Sequence, residues 1–413
     1  MRLLVALAVA HLAGRARQSL VAGFGVALGV GFSVAMAALM QGSQEDFVRQ
    51  LVDSMAHVEI VDEMRTPARQ PAEAVFAAAA IRGLRPVDDP RGIRDPAAAR
   101  AALEAWVPGR IAPALRTDAV ARYGGRETGV MAIGIEPRAE AAVNAVARDF
   151  VEGGFASLAA GGDGVVIGVG LAEKLGARLG DTIDLVSARG GTRGLRVVGL
   201  FRTGASARDE GEVYVLLKTA QVLSGRPNAV NTLRLRLDDP GAAPAVAARA
   251  EAQLGLKAVS WQEANEAIME ALVVRNAIMY TVVAAILVVA GFGVFNIVST
   301  ITHEKARDIA ILKSLGFREA DMRRLFTLQG LAIGAAGTVV GWGFGAALAV
   351  GLGEVPIEFE GPSGTTSGLP LAWDPRHYAI AAAVALGAAA VAGWLPARRA
   401  ARLNPVDIIR GAA

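Results

Sequence analysis

Four long stretches of this chain contain no Asp, Glu, Lys or Arg, and their placement constrains the fold more than any other feature. They cover residues 18–44, 276–302, 325–353 and 377–397. Each is long enough to cross a hydrocarbon core, which takes roughly 20 apolar residues. The charged stretch of 42–275 cannot lie in lipid. The pattern therefore predicts an α+β membrane protein with one N-terminal transmembrane helix, a large external domain, and three C-terminal transmembrane helices.

The distribution of Lys and Arg predicts which side of the membrane each loop faces. Basic residues precede the first span, fill the loop between the second and third, and follow the last: Arg2, Arg15, Arg17, Lys305, Arg307, Lys313, Arg318, Arg323, Arg324, Arg398, Arg399, Arg402 and Arg410. The loop between the third and fourth spans is acidic instead. We predict a bacterial inner-membrane protein with both termini in the cytoplasm and the large domain in the periplasm. Residues 1–17 are predicted to form a cytoplasmic interfacial helix before an uncleaved anchor.

Composition argues against several classes of function. The pI is about 9.4, yet the net charge is only +3, so the basic residues fit an inner membrane face better than a nucleic-acid partner. The histidines are scattered without metal spacing, and there are no cysteines. No Gly-Lys dipeptide occurs, so the chain has no P-loop. No acidic or basic residue lies deep in a span, which argues against an ion-coupled carrier. We predict no catalytic residue, metal site or cofactor within this chain.

The external domain, residues 45–274, is predicted to contain two lobes. Strict alternation at 232–237 predicts a strand, and similar patterns give a split βαβ lobe at about 50–125 and 228–262. An inserted lobe at about 129–217 has its own short strands. These are predicted at 164–167, 182–186, 195–201 and 213–216, with a helix at 170–179.

Large, soft side chains recur at helical spacing in the first two spans. They are Phe24, Leu28, Phe32, Met36 and Met40 in the first span, and Met279, Phe292 and Phe295 in the second. A surface of Phe and Met can adapt to varied apolar ligands, so these residues are predicted to line a substrate cavity. The alternative, that the same residues pack against lipid, is equally compatible with the pattern. The third span carries glycines at the spacing of close helix packing: Gly330, Gly334, Gly337, Gly341 and Gly345.

The loop between the second and third spans begins with a short amphipathic helix, 304–315, that Gly316 terminates. A helix of this kind can anchor passively to the membrane surface. It can equally fit into a groove on a soluble partner.

Around this loop the sequence resembles a known family. FNIVST at 295–300 and DIAILKSLG at 308–316 resemble the FtsX-like permease domain of ABC transporters, and PARRAARLNPVD at 396–407 is similar to its usual ending. Residues 275–413 are identified as that domain. In the external domain, VIGVGLA at 166–172 and RLRLDDP at 234–240 resemble the lipoprotein-releasing permease subunits.

The resemblance implies a permease that pairs with a second copy or a paralogue and binds a cytoplasmic ABC ATPase dimer, which holds ATP and Mg²⁺. The 304–315 helix would be the coupling helix, with Glu304, Lys305, Arg307, Asp308, Ile309, Leu312, Leu315 and Gly316 as contact residues. The implied substrate is a lipoprotein or amphiphilic lipid expelled toward a periplasmic carrier or adaptor. Two alternatives stay open: a macrolide-exporter-like efflux permease, and a signal relay to a cell-wall hydrolase.

One departure from the resemblance concerns residues 187–196. The lipoprotein-releasing subunit that recruits the carrier has a longer protruding hook at about this place, whereas this chain has only a glycine-rich connection. We therefore predict a plain hairpin here, and no recruitment of a carrier by this chain.

Overall fold

The structure is a computed structural model of the 413-residue chain. It describes residues 7–8, 10, 13–14, 16–65, 75, 92–188, 191–304, 307, 311, 313–355, 358–361 and 364–401. The chain divides into two compact units. The membrane unit comprises Met1–Phe47, Glu270–Glu358 and Ser367–Ala413, and the soluble unit comprises Val48–Met269 and Phe359–Thr366. The predicted interfacial helix at 1–17 falls mostly outside the described residues.

The described helices and strands alternate only in the middle of the chain. The helices are α1 Ala16–Asp53, α2 Pro96–Glu104, α3 Pro137–Val143, α4 Phe155–Gly161, α5 Val169–Leu175, α6 Ser206–Gly211, α7 Leu217–Leu223, α8 Ala243–Leu254, α9 Trp261–Ala264, α10 Glu266–Glu304, α11 Glu319–Gly353 and α12 Pro375–Ala401. The strands are β1 Val58–Val61, β2 Gly109–Tyr123, β3 Arg126–Ile135, β4 Phe150–Gly153, β5 Gly164–Gly168, β6 Thr182–Ser187, β7 Thr192–Phe201, β8 Glu212–Leu216, β9 Thr232–Leu237, β10 Ala258–Ser260, β11 Glu358–Gly361 and β12 Gly364–Ser367.

Four of the described helices, α1, α10, α11 and α12, are long and apolar enough to cross a membrane. The 38 residues of α1 and the 39 residues of α10 correspond to about 57 Å each, at about 1.5 Å per residue. That length is nearly twice the roughly 30 Å of a hydrocarbon core. Both helices therefore continue well beyond the lipid without a break. The predicted fold class, with one N-terminal and three C-terminal spans around an α+β domain, is confirmed.

The glycines of α11 bring three helices of the membrane unit into backbone contact. Gly337, Gly341 and Gly345 face α1, where an added Cβ would lie within 3 Å of a carbonyl oxygen. Gly330 and Gly334 face α12 and approach Ala389 just as closely. Small residues at this spacing stabilise helix pairs in lipid, because the backbones can approach without side chains between them.

The soluble unit is built on one ten-stranded sheet, in the order β10-β1-β9-β2-β3-β8-β5-β7-β4, with β6 pairing to β2 and β7. Strand β2 joins the two predicted lobes, because its first half pairs with β9 and its second half with β3 and β6. Separate apolar cores form along the sheet. One packs α2 and α8 on β1 and β9, and the others pack α4, α5 and α7 on the remaining strands.

Two local differences from the sequence expectation lie in the inserted lobe. The helix predicted at 170–179 ends at Leu175, because Gly176 adopts a left-handed conformation (φ 76°) that closes the helix. Strand β7 begins at Thr192 rather than 195, because the hairpin with β6 pairs from its first residues.

A buried polar network holds the middle of the sheet in place. Glu140 and Arg234 are both buried and form an ion pair at 2.6 Å. Asn144 links Glu140 to Tyr214, whose hydroxyl donates to Glu212 at 2.7 Å. Burial raises the pKa of the Glu140 carboxyl, and the Arg234 guanidinium opposes that rise. Burial likewise raises the pKa of the Tyr214 hydroxyl, and the charge of Glu212 adds to the effect.

Candidate functional site

An apolar groove of about 580 Å³ runs along the membrane unit between α1, α10 and α11. Leu28 and Phe32 of α1 form one wall, and Ile286 and Val289 of α10 form the opposite wall. The helices meet at Gly29, where an added Cβ would lie 3.1 Å from the Cβ of Ala290. The residues that line the groove carry no charge, so it suits hydrocarbon chains and not ions.

The structure distributes the predicted cavity residues over several surfaces. Leu28 and Phe32 lie in the groove. Phe24 instead lines a second apolar depression between α1 and α11, of about 710 Å³. Phe292 is 62% exposed and Met279 is buried at 9%, and neither lines the groove.

The three remaining predicted residues lie at intermediate depth. Met36 and Met40 are half-buried on α1, and the carbonyl oxygen of Met40 accepts a hydrogen bond from Arg275 at 2.7 Å. Phe295 packs against the apolar core of the membrane unit.

Sequence reasoning missed several groove residues, notably Ile286, Val289, Ala290 and Phe344. Ile, Val and Ala occur throughout a transmembrane span, so the identity of Ile286, Val289 and Ala290 does not distinguish a groove wall from a lipid-facing surface. Phe344 belongs to no stripe, because no Phe or Met lies three or four residues from it. The signal that could have found part of the site is Gly29, where α1 approaches α10, together with Gly25 four residues earlier, which also lines the groove.

The predicted coupling helix is only partly described. Glu304 is the last residue of α10, and Arg307 is helical and exposed. Lys305, Asp308, Ile309 and Leu312 lie outside the described residues.

The end of the predicted coupling helix is a helical turn with an exposed apolar surface. The amide of Leu315 donates to the carbonyl of Ile311 at 3.0 Å, and Gly316 follows with φ 100°. Ile311 is 47% exposed and Leu315 is 73% exposed. These two side chains, four residues apart, lie on the same face of the turn. The membrane unit therefore presents apolar side chains at this loop, next to cationic residues.

The far end of α1 is built into the soluble unit. Val52 is buried in the same core as β1 and β9. Arg208 donates to the carbonyl oxygen of Ser54 at 2.7 Å, and Arg236 contacts the Asp53 carboxylate at 3.1 Å. Arg208, and Arg236 through a longer hydrogen bond of 3.4 Å to the Asp53 carbonyl oxygen, satisfy backbone acceptors that the end of a helix leaves open. The last residues of α1 are therefore held by the sheet of the soluble unit.

The β6–β7 hairpin is short and lies against the soluble unit. Val186 pairs with Thr192, and the amide of Ser187 donates to the carbonyl of Gly191 at 2.8 Å. An added Cβ at Gly191 would lie 3.2 Å from the carbonyl oxygen of Leu223 at the end of α7. Residues 189 and 190 lie outside the described part of the chain. The described residues of the hairpin therefore do not form a protruding arm.

Two family comparisons cover almost the whole chain. Residues 19–253 match the MacB-like periplasmic core domain, and residues 280–405 match the FtsX-like permease C-terminal family. The first match alone covers more than half of the 413 residues. The fold and these matches define an ABC transporter permease. The chain belongs to the FtsX-like and MacB-like superfamily, as the sequence motifs predicted.

Within the ABC transporter permeases, this chain is similar to curated proteins of two kinds, the lipoprotein-releasing and the macrolide-exporting permeases. The chain is 29% identical over 409 residues to the lipoprotein-releasing system transmembrane protein LolC of Neisseria meningitidis serogroup B, covering 94% of this chain and 92% of that protein. It is 29% identical over 327 residues to LolE of Haemophilus influenzae, covering 72% and 76%. The macrolide export ATP-binding/permease protein MacB of Hyphomonas neptunium is 34% identical over 126 residues, covering 30% of this chain and 18% of that protein.

Proposed function

We propose that this chain is the permease subunit of an inner-membrane ABC transporter that expels lipoproteins, or similar amphiphiles, toward the periplasm. The observation that carries the proposal is the uncharged groove between α1 and α10. Both helices that form it extend without interruption far beyond the lipid. The similarity to LolC over 94% of the chain supports the substrate class.

ATP hydrolysis is assigned to a separate cytoplasmic ATPase dimer. The Ile311–Leu315 turn is its docking point, and ATP and Mg²⁺ belong to the ATPase. In this mechanism a second permease, either a copy or a paralogue, completes the substrate chamber. Closure of the ATPase dimer displaces α1 and α10, and the displacement reaches the sheet where Arg208 and Arg236 hold the end of α1. The substrate leaves from the outer leaflet without crossing the bilayer.

A photo-crosslinking amino acid at Phe32 tests the substrate. We expect it to capture a lipidated protein, and ATP to reduce the yield, because acyl chains occupy the groove only before expulsion. The matched control is Val384, an exposed apolar residue of α12 that lines neither apolar depression. Equal capture of bulk phospholipid at both positions, unchanged by ATP, would contradict the proposal.

The MacB-like match of residues 19–253 supports a second candidate, an efflux permease that works with a periplasmic adaptor. The same crosslinker separates the two, because an efflux permease would yield a small apolar molecule in place of a lipidated protein. A signal relay to a cell-wall hydrolase would yield no ATP-sensitive product at Phe32.

The short β6–β7 hairpin leads to a further prediction. The full chain in detergent should show no micromolar binding to a periplasmic lipoprotein carrier, because a docking arm is absent from the described hairpin. A lipoprotein-releasing permease that has the hook provides the positive control in a surface-binding assay. The expectation is wrong if the carrier binds this chain and changes within 187–196 abolish that binding.

A further inference from the structure

A second cavity lies in the soluble unit, far along the sequence from the membrane groove. It is a cleft of about 1210 Å³, larger than the 580 Å³ groove. Ala142, Leu216 and Leu217 line the cleft, are partly exposed, and contribute to an apolar floor. Ligand sites for small molecules typically measure about 300–1,000 Å³, so this cleft has room for a ligand of lipid size.

Three cations surround this floor and have no partner among the described residues. Arg110, Arg138 and Lys218 line the cleft and are exposed. None of them forms an ion pair or side-chain hydrogen bond with any residue that the structure describes. The two acidic residues of the cleft, Glu104 and Glu136, are instead engaged by Arg100, at 2.7 and 3.4 Å. The cleft therefore combines an apolar floor with an uncompensated positive rim.

Two left-handed turns shape one edge of the cleft. Among the described residues, only Asp95 (φ 49°) and Asn228 (φ 60°) are non-glycine residues with positive φ. Asn228 lines the cleft, and Asp95 immediately precedes Pro96, which also lines it. Asn and Asp adopt left-handed conformations more readily than other non-glycine residues, and the Asp95 side chain also accepts a hydrogen bond from the amide of Ala98.

We propose that this cleft binds an anionic amphiphile, such as a lipid with a phosphate head group. The head group would contact Arg110, Arg138 and Lys218, and the hydrocarbon part would lie on the floor. An acidic peptide would satisfy the cations but would leave the apolar floor uncovered, so a lipid fits the cleft better. The site is separate from the membrane groove, and the proposal does not depend on the transport function.

Calorimetry on the full chain in phosphatidylcholine nanodiscs tests the ligand class, with empty nanodiscs as the blank. Soluble dihexanoylphosphatidylglycerol should bind saturably, and added salt should weaken the binding by screening the charges. Dihexanoylphosphatidylcholine should bind about tenfold more weakly or worse, because it carries no net negative charge. Inorganic phosphate should also bind more weakly, because it cannot cover the floor. Equal affinity for any of these probes, or tighter binding of a tetraglutamate peptide, would overturn the proposal.

Two comparisons of variants locate the site, and the first tests the cations of the cleft. Arg110→Glu with Arg138→Glu should weaken binding of dihexanoylphosphatidylglycerol about tenfold or more. Arg148→Glu with Arg202→Glu changes the charge equally at exposed positions outside the cleft and should not.

The second comparison tests whether the hydrocarbon part of the ligand lies in the cleft. Ala159 lines the cleft and Ala160 is exposed beside it without lining it. Ala159→Trp should block binding, whereas Ala160→Trp should leave it intact. If Arg110→Glu/Arg138→Glu and Ala159→Trp both still bind the lipid normally, the ligand binds elsewhere and the proposal is contradicted.

Discussion

Aspartate at both Ile311 and Leu315 is expected to release the ATPase from a permease that still inserts into the membrane. The two side chains share one face of the turn and are largely exposed, so the structure shows no role for them within the chain's own core. In a docked complex they would be buried against the ATPase, where each carboxylate costs on the order of several kcal/mol. Co-purification of the ATPase with the tagged permease should fall to background, and substrate-stimulated ATP hydrolysis should be lost.

Ser314→Asp is the matched control for that experiment. Ser314 lies between the two apolar residues, and its hydroxyl donates to the carbonyl of Ile311 at 2.7 Å on the same turn. The control adds negative charge to the loop without removing an apolar contact, so the ATPase should stay bound. A full complement of ATPase on the Ile311/Leu315 double variant, with normal turnover, would show that the loop does not couple the two proteins.

The membrane part of the fold could be predicted from the sequence because its determinant is local. The absence of charge over 18–44 or 325–353 decides whether a segment can enter lipid, and no other part of the chain changes that. The helices themselves are longer than the predicted spans, since α1 continues to Asp53 and α10 begins at Glu266. The polar ends of these helices belong to the soluble unit. Hydropathy identifies only the apolar part of a helix, so it does not predict these extensions.

The soluble unit was predictable strand by strand but not as a sheet. Alternation identifies β9 at 232–237, since its side chains face the two sides of the sheet in turn. The pairing of β9 with both β1 and β2 depends on residues more than 100 positions away. Nothing local specifies that β2 carries the sheet from one predicted lobe into the other, because strand order is a property of the assembled core.

In the candidate site, too, local features could be predicted from the sequence and the contacts between elements could not. Helical spacing placed Phe24, Leu28 and Phe32 in one predicted stripe, yet the structure places Phe24 in a different depression from the other two. Residues on a helix share a face only over a limited arc, and the neighbouring helices decide where one surface ends and the next begins. The contribution of α10 to the groove likewise depends on where α1 crosses it at Gly29.

Gly341→Val is expected to separate α11 from α1 and to destabilise the membrane unit. An added Cβ at this position would lie 2.8 Å from the carbonyl oxygen of Ala27 and 2.8 Å from the Cβ of Val30. The Ala27 oxygen is a backbone atom, and the Cβ of Val30 is bonded directly to the backbone. Neither atom can therefore rotate away. Overpacking typically costs about 1–3 kcal/mol, and the adjacent contacts at Gly337 and Gly345 would be disturbed as well. Thermal unfolding of the purified chain in detergent should show a lower midpoint.

Gly343→Val provides the comparison, because an added Cβ at Gly343 meets nothing within 4 Å. Both substitutions lie in the same helix and replace the same residue, so any change in helix propensity is common to the two. The difference in unfolding midpoint therefore reports the helix contact alone. Since α1 also forms one wall of the groove, Gly341→Val should in addition reduce crosslinking at Phe32, while Gly343→Val should preserve it. Equal midpoints for the two variants would mean that the glycine contacts of α11 do not hold α1 in place.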